Sequence, residues 1–528
     1  MTSASAPSAS TPTASTPTAS APTASAALHP APGFRRATAA LSPVEGLEEA
    51  EAQRIDEAVA AAQDAFVPPV GLAERIDRLD RLERMLLQHR QPLRAALEKD
   101  LGKPGTESEF TEIGVSLTEL RHVRRHLKQW MRPRSVASAQ MLTPSTAWIE
   151  PQPLGTVLII APWNYPVQLL LSPLVGALAA GNTAVVKPSE VTPHVAEALA
   201  EALQEHLGDC VRPVLGGVAE TTRLLQHRFD HIFYTGNSAV GRVVMRAAAE
   251  HLSPVTLELG GKSPVWIDRS ADLPAAARRL AWAKLVNAGQ TCVAPDYLMG
   301  PADVLAELEG LLQETIREFY GTDPQSSPSY GRIVTQRHLT RLTEMLERIP
   351  AADIVAGGQH DASDRYLAPT LVRSASDGPA MEEEIFGPVL PMIAVEDHLE
   401  AVRFIQQGEK PLALYVFSQD QQVRQDFSDL TSSGGLGFEI PMAHVIHPQL
   451  PFGGVGASGT GTYHGLASFE ALSHLRPVLD KPLSPETLKV TFPPYTGLRA
   501  GAARAMLSLP APGDLARGLR RRLRGDRG

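Results

Sequence analysis

Residues 155–190, GTVLIIAPWNYPVQLLLSPLVGALAAGNTAVVKPSE, hold a complete strand–helix–strand unit. Thr156-Val-Leu-Ile-Ile160 is an unbroken apolar run of strand length, the mark of a strand covered on both faces. Val167–Ala180 follows as an apolar helix, and Thr183-Ala-Val-Val186 is the next strand. Thr192 then caps a helix with Pro193 at its first position, and Gly208 stops it. Asp230-His-Ile-Phe-Tyr234 and Val255–Leu259 continue the rhythm, with a helix over Ser238–His251 between them. Alternation of this kind predicts α/β architecture, a doubly wound Rossmann-like parallel sheet with helices on both faces.

Outward from that unit, residues 46–130 carry helical spacing and dense charge, predicting helices over Glu51–Phe66, Glu74–Lys99 and Glu107–Met131. A second α/β stretch occupies roughly 262–435 and starts with a helix over Leu273–Asn287. At 528 residues, two or three packed units are expected. Residues 2–33 are almost wholly Ala, Ser, Thr and Pro, a composition too poor in apolar surface to offset its ordering entropy. The other end, with leucines at 515, 519 and 523 among arginines, reads as a solvated tail or as a short basic helix resting weakly on a membrane surface.

Bulk properties narrow the function. A net charge of −9 argues against nucleic acid as a partner. Two cysteines, Cys210 and Cys292, imply no disulfide framework and fit a reducing cytoplasmic setting. No secretory signal and no apolar run of spanning length is present. No metal site is expected, since His444-Val-Ile-His447 lacks further ligands at a recognisable spacing.

Two glycine-rich loops invite a nucleotide reading. Gly454-Val-Gly-Ala-Ser-Gly459 matches G-x-G-x-x-G by letter, but it lacks a strand before it and a helix after it. Thr235-Gly-Asn-Ser-Ala-Val-Gly241 has both, so its N–H groups can face a phosphate, or it is a plain strand-to-helix turn. Lys187 and Glu190 stand at a strand's C-terminal end, where doubly wound sheets bind ligands. They read as ribose contacts or as a surface ion pair.

Three further residues carry chemistry. Cys292 follows the turn Asn287-Ala-Gly-Gln-Thr and reads either as an inert buried hydrophobe or as a nucleophile needing local help to ionise. Glu258 projects from the strand face opposite Val255, Leu257 and Leu259, next to a double glycine. It is an ordinary strand-end carboxylate or a desolvated base towards water. Asn164 lies between Pro162 and Pro166, where a stiffened amide donates to an oxyanion or merely to a turn.

The ordered series Pro162-Trp-Asn-Tyr-Pro166, Gly181–Glu190, Leu257–Pro264, Gly289-Gln-Thr-Cys292, Glu383-Glu-Ile-Phe-Gly-Pro388 and Leu450-Pro-Phe-Gly-Gly454 resembles the aldehyde dehydrogenase superfamily over about residues 50–496. Phe229–Asn237, Ala294-Pro-Asp-Tyr297, Tyr463-His-Gly465 and Pro493-Pro-Tyr495 look like its class 3, fatty-aldehyde and coniferyl-aldehyde branch. Composition sets off a disordered tail over 1–40 and a basic tail over 497–528, both outside the resemblance. The resemblance implies a cofactor-binding domain over 41–260 with a bridging arm segment at 133–153, a catalytic domain over 261–435, and a return segment and arm over 436–496. It also implies a homodimer.

By the same resemblance, the activity is NAD(P)-dependent oxidation of a medium- or long-chain aliphatic or an aromatic aldehyde. Cys292 is then the nucleophile that forms a thioester, Glu258 the base for the deacylating water, and Asn164 an oxyanion donor beside the Cys292 N–H. Lys187 and Glu190 hold the adenosine ribose of NAD, with NADP left open. Gly236, Asn237, Ser238 and Gly241 approach the pyrophosphate, Gly260 joins the cofactor contacts, and Glu384 with Phe386 holds the nicotinamide riboside. One stretch departs from the branch: Phe438-Glu-Ile-Pro441 stands before His444 where Asn-Asp is usual, near the expected substrate entrance. A thiol esterase is the nearest rival, but no G-x-S-x-G occurs. A non-catalytic scaffold would have no use for the Cys–Glu–Asn set.

Overall fold

The computed structural model describes residues 41–508, and both the tail over 1–40 and the leucine–arginine segment at 515–524 lie outside them. Two mainly parallel sheets position the site. The first orders its strands Gly459–Thr460, Val255–Glu258, His231–Thr235, Thr156–Ile160, Thr183–Lys187 and Val211–Pro213. All neighbours are parallel except Gly459–Thr460, which runs antiparallel to Val255–Glu258. The chain lays down Thr156–Ile160 first, adds two strands on one side, then returns to add His231–Thr235 on the other. The ends of Ile160 and Thr235 therefore flank a topological switch point, the crevice where such sheets take ligands. Every residue of the three central strands is buried, which explains their unbroken apolar runs.

The second sheet runs Ile354–Ala356, Thr370–Arg373, Val389–Ala394, Tyr297–Gly300, Pro264–Ile267, Ala413–Phe417, Gly435–Phe438, with only its first edge strand antiparallel. Its last strand reaches Phe438, three residues past the expected end of that stretch. A third, antiparallel sheet joins Arg134–Val136, Thr146–Pro153 and Ser473–Asp480. Among the described residues no helix is long and apolar enough to cross a membrane.

Three expectations need correction. The single helix over Glu74–Lys99 is two helices, Leu72–Gln88 and Arg90–Leu101, meeting at His89. Pro92 has no N–H to extend the ladder back to Gln88. The helix over Glu107–Met131 contains a π turn at Glu109–Ile113 between Gly105–Ser108 and Gly114–Trp130. Thr192 stands at the cap position of Pro193–Leu207, but its hydroxyl makes no cap bond. Asp100 does that work from another helix, accepting the Val195 N–H at 2.9 Å.

Candidate active site

Cys292 follows a turn that only a constrained backbone builds. Asn287 and Ala288 both sit in the left-handed region (φ 54° and 51°), and Gly289 follows at φ 76°. Left-handed Asn and Ala are held there by partners: the Asn287 N–H donates to Glu107 at 2.7 Å, and its amide donates to the carbonyls of Asn164 and Gln290. Gln290 locks the next step, donating to Asn287 and Arg332 carbonyls and accepting from the Val334 N–H. Two tyrosines brace the peptides on either side of the sulfur, Tyr165 on the Thr291 hydroxyl and Tyr415 on the Val293 carbonyl.

The thiol so presented is partly buried and lines a predominantly apolar cavity. Phe110, Leu169, Trp282, Met442, Ile446 and Phe452 form much of its wall. Burial pushes the thiol up to about 12. The Glu384 and Glu258 carboxyl groups add to the rise, while the Cys292 and Val293 N–H groups oppose it. A thiol in this state is almost wholly protonated at neutral pH and needs a change in its surroundings to become a nucleophile.

Asn164 is buried, and its side-chain N–H donates to the Gln290 carbonyl at 3.1 Å. Its own carbonyl accepts from Lys103 Nζ at 3.2 Å and from Asn287 at 2.8 Å. The asparagine and the cysteine loop are thus one hydrogen-bonded unit. Glu258 ends its strand fully buried, and neither carboxyl oxygen has a hydrogen-bond partner. Desolvation alone holds its pKa well above the usual carboxylate range. Such a group is costly unless it stays neutral until water or a reactant reaches it. Tyr463 lines the same cavity, and burial first, then the Glu258 and Cys292 charges, hold its phenol well above the usual range.

The nucleotide-type residues follow the C-terminal ends of parallel strands, the 235–241 loop at the switch point and Lys187 with Glu190 at the end of the neighbouring strand Thr183–Lys187. Asn237 caps the helix Ser238–His251, accepting the Val240 N–H at 2.9 Å. The Gly236 N–H donates to the Glu258 carbonyl at 3.0 Å, so the loop and the buried acid share a backbone link. A side chain at Gly236 would strike the Tyr234 hydroxyl at 2.2 Å, and one at Gly241 would meet Leu259 at 2.9 Å. Buried Lys187 is paired with the more exposed Glu190, whose charge also reaches Tyr234. The surface ion pair weighed for these two is therefore present, with its lysine inside. Ser238 donates to the Ala457 carbonyl at 3.4 Å. The loop Gly454–Gly459 opens no helix and leads into the edge strand, as its flanks predict.

Glu384 comes close enough to Gly260 that a Cβ there would lie 2.1 Å from its carboxylate. Burial first, then the Asp296 charge, raises Glu384 to about 8. Its segment is pinned by Asp296, which accepts the Ile385 N–H, and by Lys262, which pairs with Asp296 and donates to the Ala380 and Glu383 carbonyls. Phe386 takes φ 49° and meets Trp163 edge to face at 5.3 Å.

Sequence reading missed the support of this site. Glu107 and Glu112 fall inside the expected helix over Glu107–Met131 and Lys103 between two expected helices, yet all three are buried behind Asn164 and Asn287. Their only signal is three charges close together at the start of a helix that must bury one face. The departure at Phe438–Pro441 also resolves. Glu439 turns into a lattice with Arg424, Ser418 and Gln419, while Met442, Val445 and Ile446 face the cavity.

Residues 37–478 match the model of the aldehyde dehydrogenase family. The chain belongs to that family. It is 44% identical over 445 residues to the dimeric, NADP-preferring aldehyde dehydrogenase of Rattus norvegicus, covering 83% of this chain and 98% of the relative. It is 47% identical over 428 residues to aldehyde dehydrogenase family 3 member B1 of Homo sapiens, covering 80% and 91%. The solved substrate-bound state of Staphylococcus aureus AldH superposes with a TM-score of 0.84 at 41% identity, over 86% of this chain and 99% of that one. These relatives place the chain in the class 3 branch. This aldehyde dehydrogenase oxidises an aldehyde to a carboxylic acid with NAD or NADP.

Proposed function

We propose that Cys292 carries the substrate through oxidation as a thiohemiacetal and then a thioester. The observation that carries this reading is a thiol at the wall of an apolar cavity, on a turn bonded to the Asn164 amide and within the electrostatic reach of the partnerless, buried Glu258 carboxyl group. The Cys292 sulfur adds to the aldehyde carbonyl once its proton has left. The new oxyanion takes hydrogen bonds from the second Asn164 side-chain N–H and from the Cys292 N–H, each aimed by the locked 287–290 turn. When bound, the dinucleotide supplies the acceptor for the hydride that leaves the thiohemiacetal carbon. Glu258, the only one of these groups buried without a partner, ionises to entering water and, as the carboxylate, takes a proton from the water that cleaves the thioester, returning it to the departing Cys292 thiolate.

The cofactor residues fit a dinucleotide on their chemistry. Gly236 and Gly241 let the loop pack where a Cβ would strike Tyr234 and Leu259, the loop ends on the N-terminus of the helix Ser238–His251, and the Thr235 hydroxyl is buried without a partner. Gly236, Asn237, Ser238 and Gly241 hold the pyrophosphate, and Gly260, Glu384 and Phe386 hold the nicotinamide riboside. The Lys187–Glu190 pair serves either cofactor: Glu190 accepts from the ribose hydroxyls of NAD, and Lys187 turns to the 2′-phosphate of NADP.

The wall of Phe110, Leu169, Trp282, Met442 and Ile446 suits a medium- or long-chain aliphatic or an aromatic aldehyde. We assign the cofactor domain to 41–260, the catalytic domain to 261–435, and the return segment and arm to 436–496. The third sheet is the arm through which a homodimer forms, and two free cysteines fit a cytoplasmic setting. Reduced cofactor formation with hexanal, decanal and cinnamaldehyde, each with NAD and NADP, tests this. Turnover confined to short polar aldehydes would overturn the substrate reading.

A further inference from the structure

Away from the active site, three metal-ligand side chains converge where two helices meet. His89 is the joint between Leu72–Gln88 and Arg90–Leu101, and Glu205 and His206 stand in the last turn of Pro193–Leu207. One donor atom from each lies within 4.8 Å of the other two. His89 Nε2 is 3.3 Å from one Glu205 oxygen, and His206 Nε2 is 3.9 Å from the other. With metal–ligand bonds near 2.0 Å, neighbouring donors of a tetrahedral site stand about 3.3 Å apart. The two rings meet edge to face at 5.4 Å, so their nitrogens converge without stacking.

A second observation points to a ligand. His206 Nε2 is buried and has no hydrogen-bond partner. A partnerless ring nitrogen is disfavoured unless something polar completes it. Glu205 is largely exposed and His89 partly so, which leaves an entry path for an ion and its water. The nearby Arg81 guanidinium is offset by Asp77 and Asp209 and donates to the His206 backbone carbonyl at 3.2 Å.

We propose that His89, Glu205 and His206 bind one divalent transition-metal ion, zinc being the best match to two imidazoles and a carboxylate, with water completing the shell. The N-terminal end of Pro193–Leu207 is already fastened to Arg90–Leu101 by Asp100, through the Val195 N–H and the His194 ring. The ion fastens the opposite end of the same helix pair. The site stabilises the fold and takes no part in catalysis.

The test is titration of tag-free, full-length protein with Zn²⁺ against a chromophoric chelator, in wild type, Cys292→Ser, His206→Gln and the His89→Gln/His206→Gln double variant. Wild type and Cys292→Ser should each bind one equivalent and gain Tm with Zn²⁺ but not with Mg²⁺. His206→Gln should bind more than about 100-fold more weakly, beyond the roughly 10- to 100-fold that loss of an outer-shell partner costs. The double variant should lose both the equivalent and the Tm gain, while its metal-free Tm and aldehyde oxidation stay at wild-type values. Equal binding by the double variant and wild type, loss of binding in Cys292→Ser alone, or no binding in any form would each overturn the proposal.

Discussion

Lys103 Nζ and a Glu112 carboxylate oxygen lie 2.5 Å apart with both side chains wholly buried, and the same ammonium donates to the Asn164 carbonyl at 3.2 Å. The other Glu112 oxygen accepts the N–H groups of Val167 and Gln168, the start of the apolar helix behind the site. A buried pair of this kind is weak evidence for stability, because desolvation offsets most of its attraction. Its evident effect is geometric, since it fixes the peptide that carries Asn164.

Breaking that pair should therefore separate stability from activity. Lys103→Met leaves a buried carboxyl group uncompensated and should cost roughly 3–5 kcal/mol of stability. Lys103→Met/Glu112→Gln keeps an acceptor for Val167 and Gln168 and should recover much of that loss. Its kcat should still fall roughly 10- to 100-fold, the penalty for a misplaced reacting group. Thermal melts beside steady-state kinetics check both halves, and a double variant with wild-type kcat would refute the positioning role.

Asn164→Ala should lower kcat by roughly 100- to 1,000-fold, as for other single oxyanion donors. KM for hexanal should change little, because the apolar wall is untouched. A loss seen only in KM would assign Asn164 to binding instead.

The raised thiol makes a pH prediction for the cofactor-free enzyme. Burial first, then Glu384 and Glu258, hold Cys292 up at about 12, so its alkylation by iodoacetamide should climb with pH through 7–10 without a plateau. Glu384→Gln removes the larger of the two charge effects and should shift the profile towards lower pH. A plateau near pH 8 in wild type would contradict the site's electrostatics.

Glu119 offers a stability test outside the chemistry. Burial raises it to about 7, although the Gly465 N–H it accepts at 2.7 Å opposes the rise. The native state thus keeps a proton that the unfolded chain, at an ordinary carboxylate value, has released. Stability from this group is complete below about pH 4.5 and is lost as pH rises to 7, in all up to roughly 3 kcal/mol. Glu119→Gln keeps the acceptor without the charge, so its Tm relative to wild type should be higher at pH 8 than at pH 5.

Much of this was legible in the chain because unbroken apolar runs and their glycine or proline ends report local physics. Thr156–Ile160, Thr183–Lys187 and His231–Thr235 lie within a residue of their expected bounds. The cysteine, the two-proline loop and the strand-end glutamate stood out by motif; Cys292 lines the apolar cavity, Asn164 is bonded to the turn before it, and Glu258 is buried at its strand end. Long-range partners were not legible. Nothing local says that Asp100 caps the helix after Thr192, that Lys103 reaches Asn164, or that His89 meets Glu205 and His206. The break at His89 was readable in Pro92 and was masked by strong helical charge spacing on both sides. The π turn at Glu109–Ile113 leaves no mark in composition.

The central claim is an acyl group on one sulfur. Glu258→Gln protein should be mixed with NAD and hexanal, quenched in acid and digested for mass spectrometry. The account predicts a hexanoyl thioester on the peptide bearing Cys292, formed with a burst of NADH and then released slowly. An unmodified Cys292 alongside continued NADH production, or turnover that survives Cys292→Ala, would contradict it.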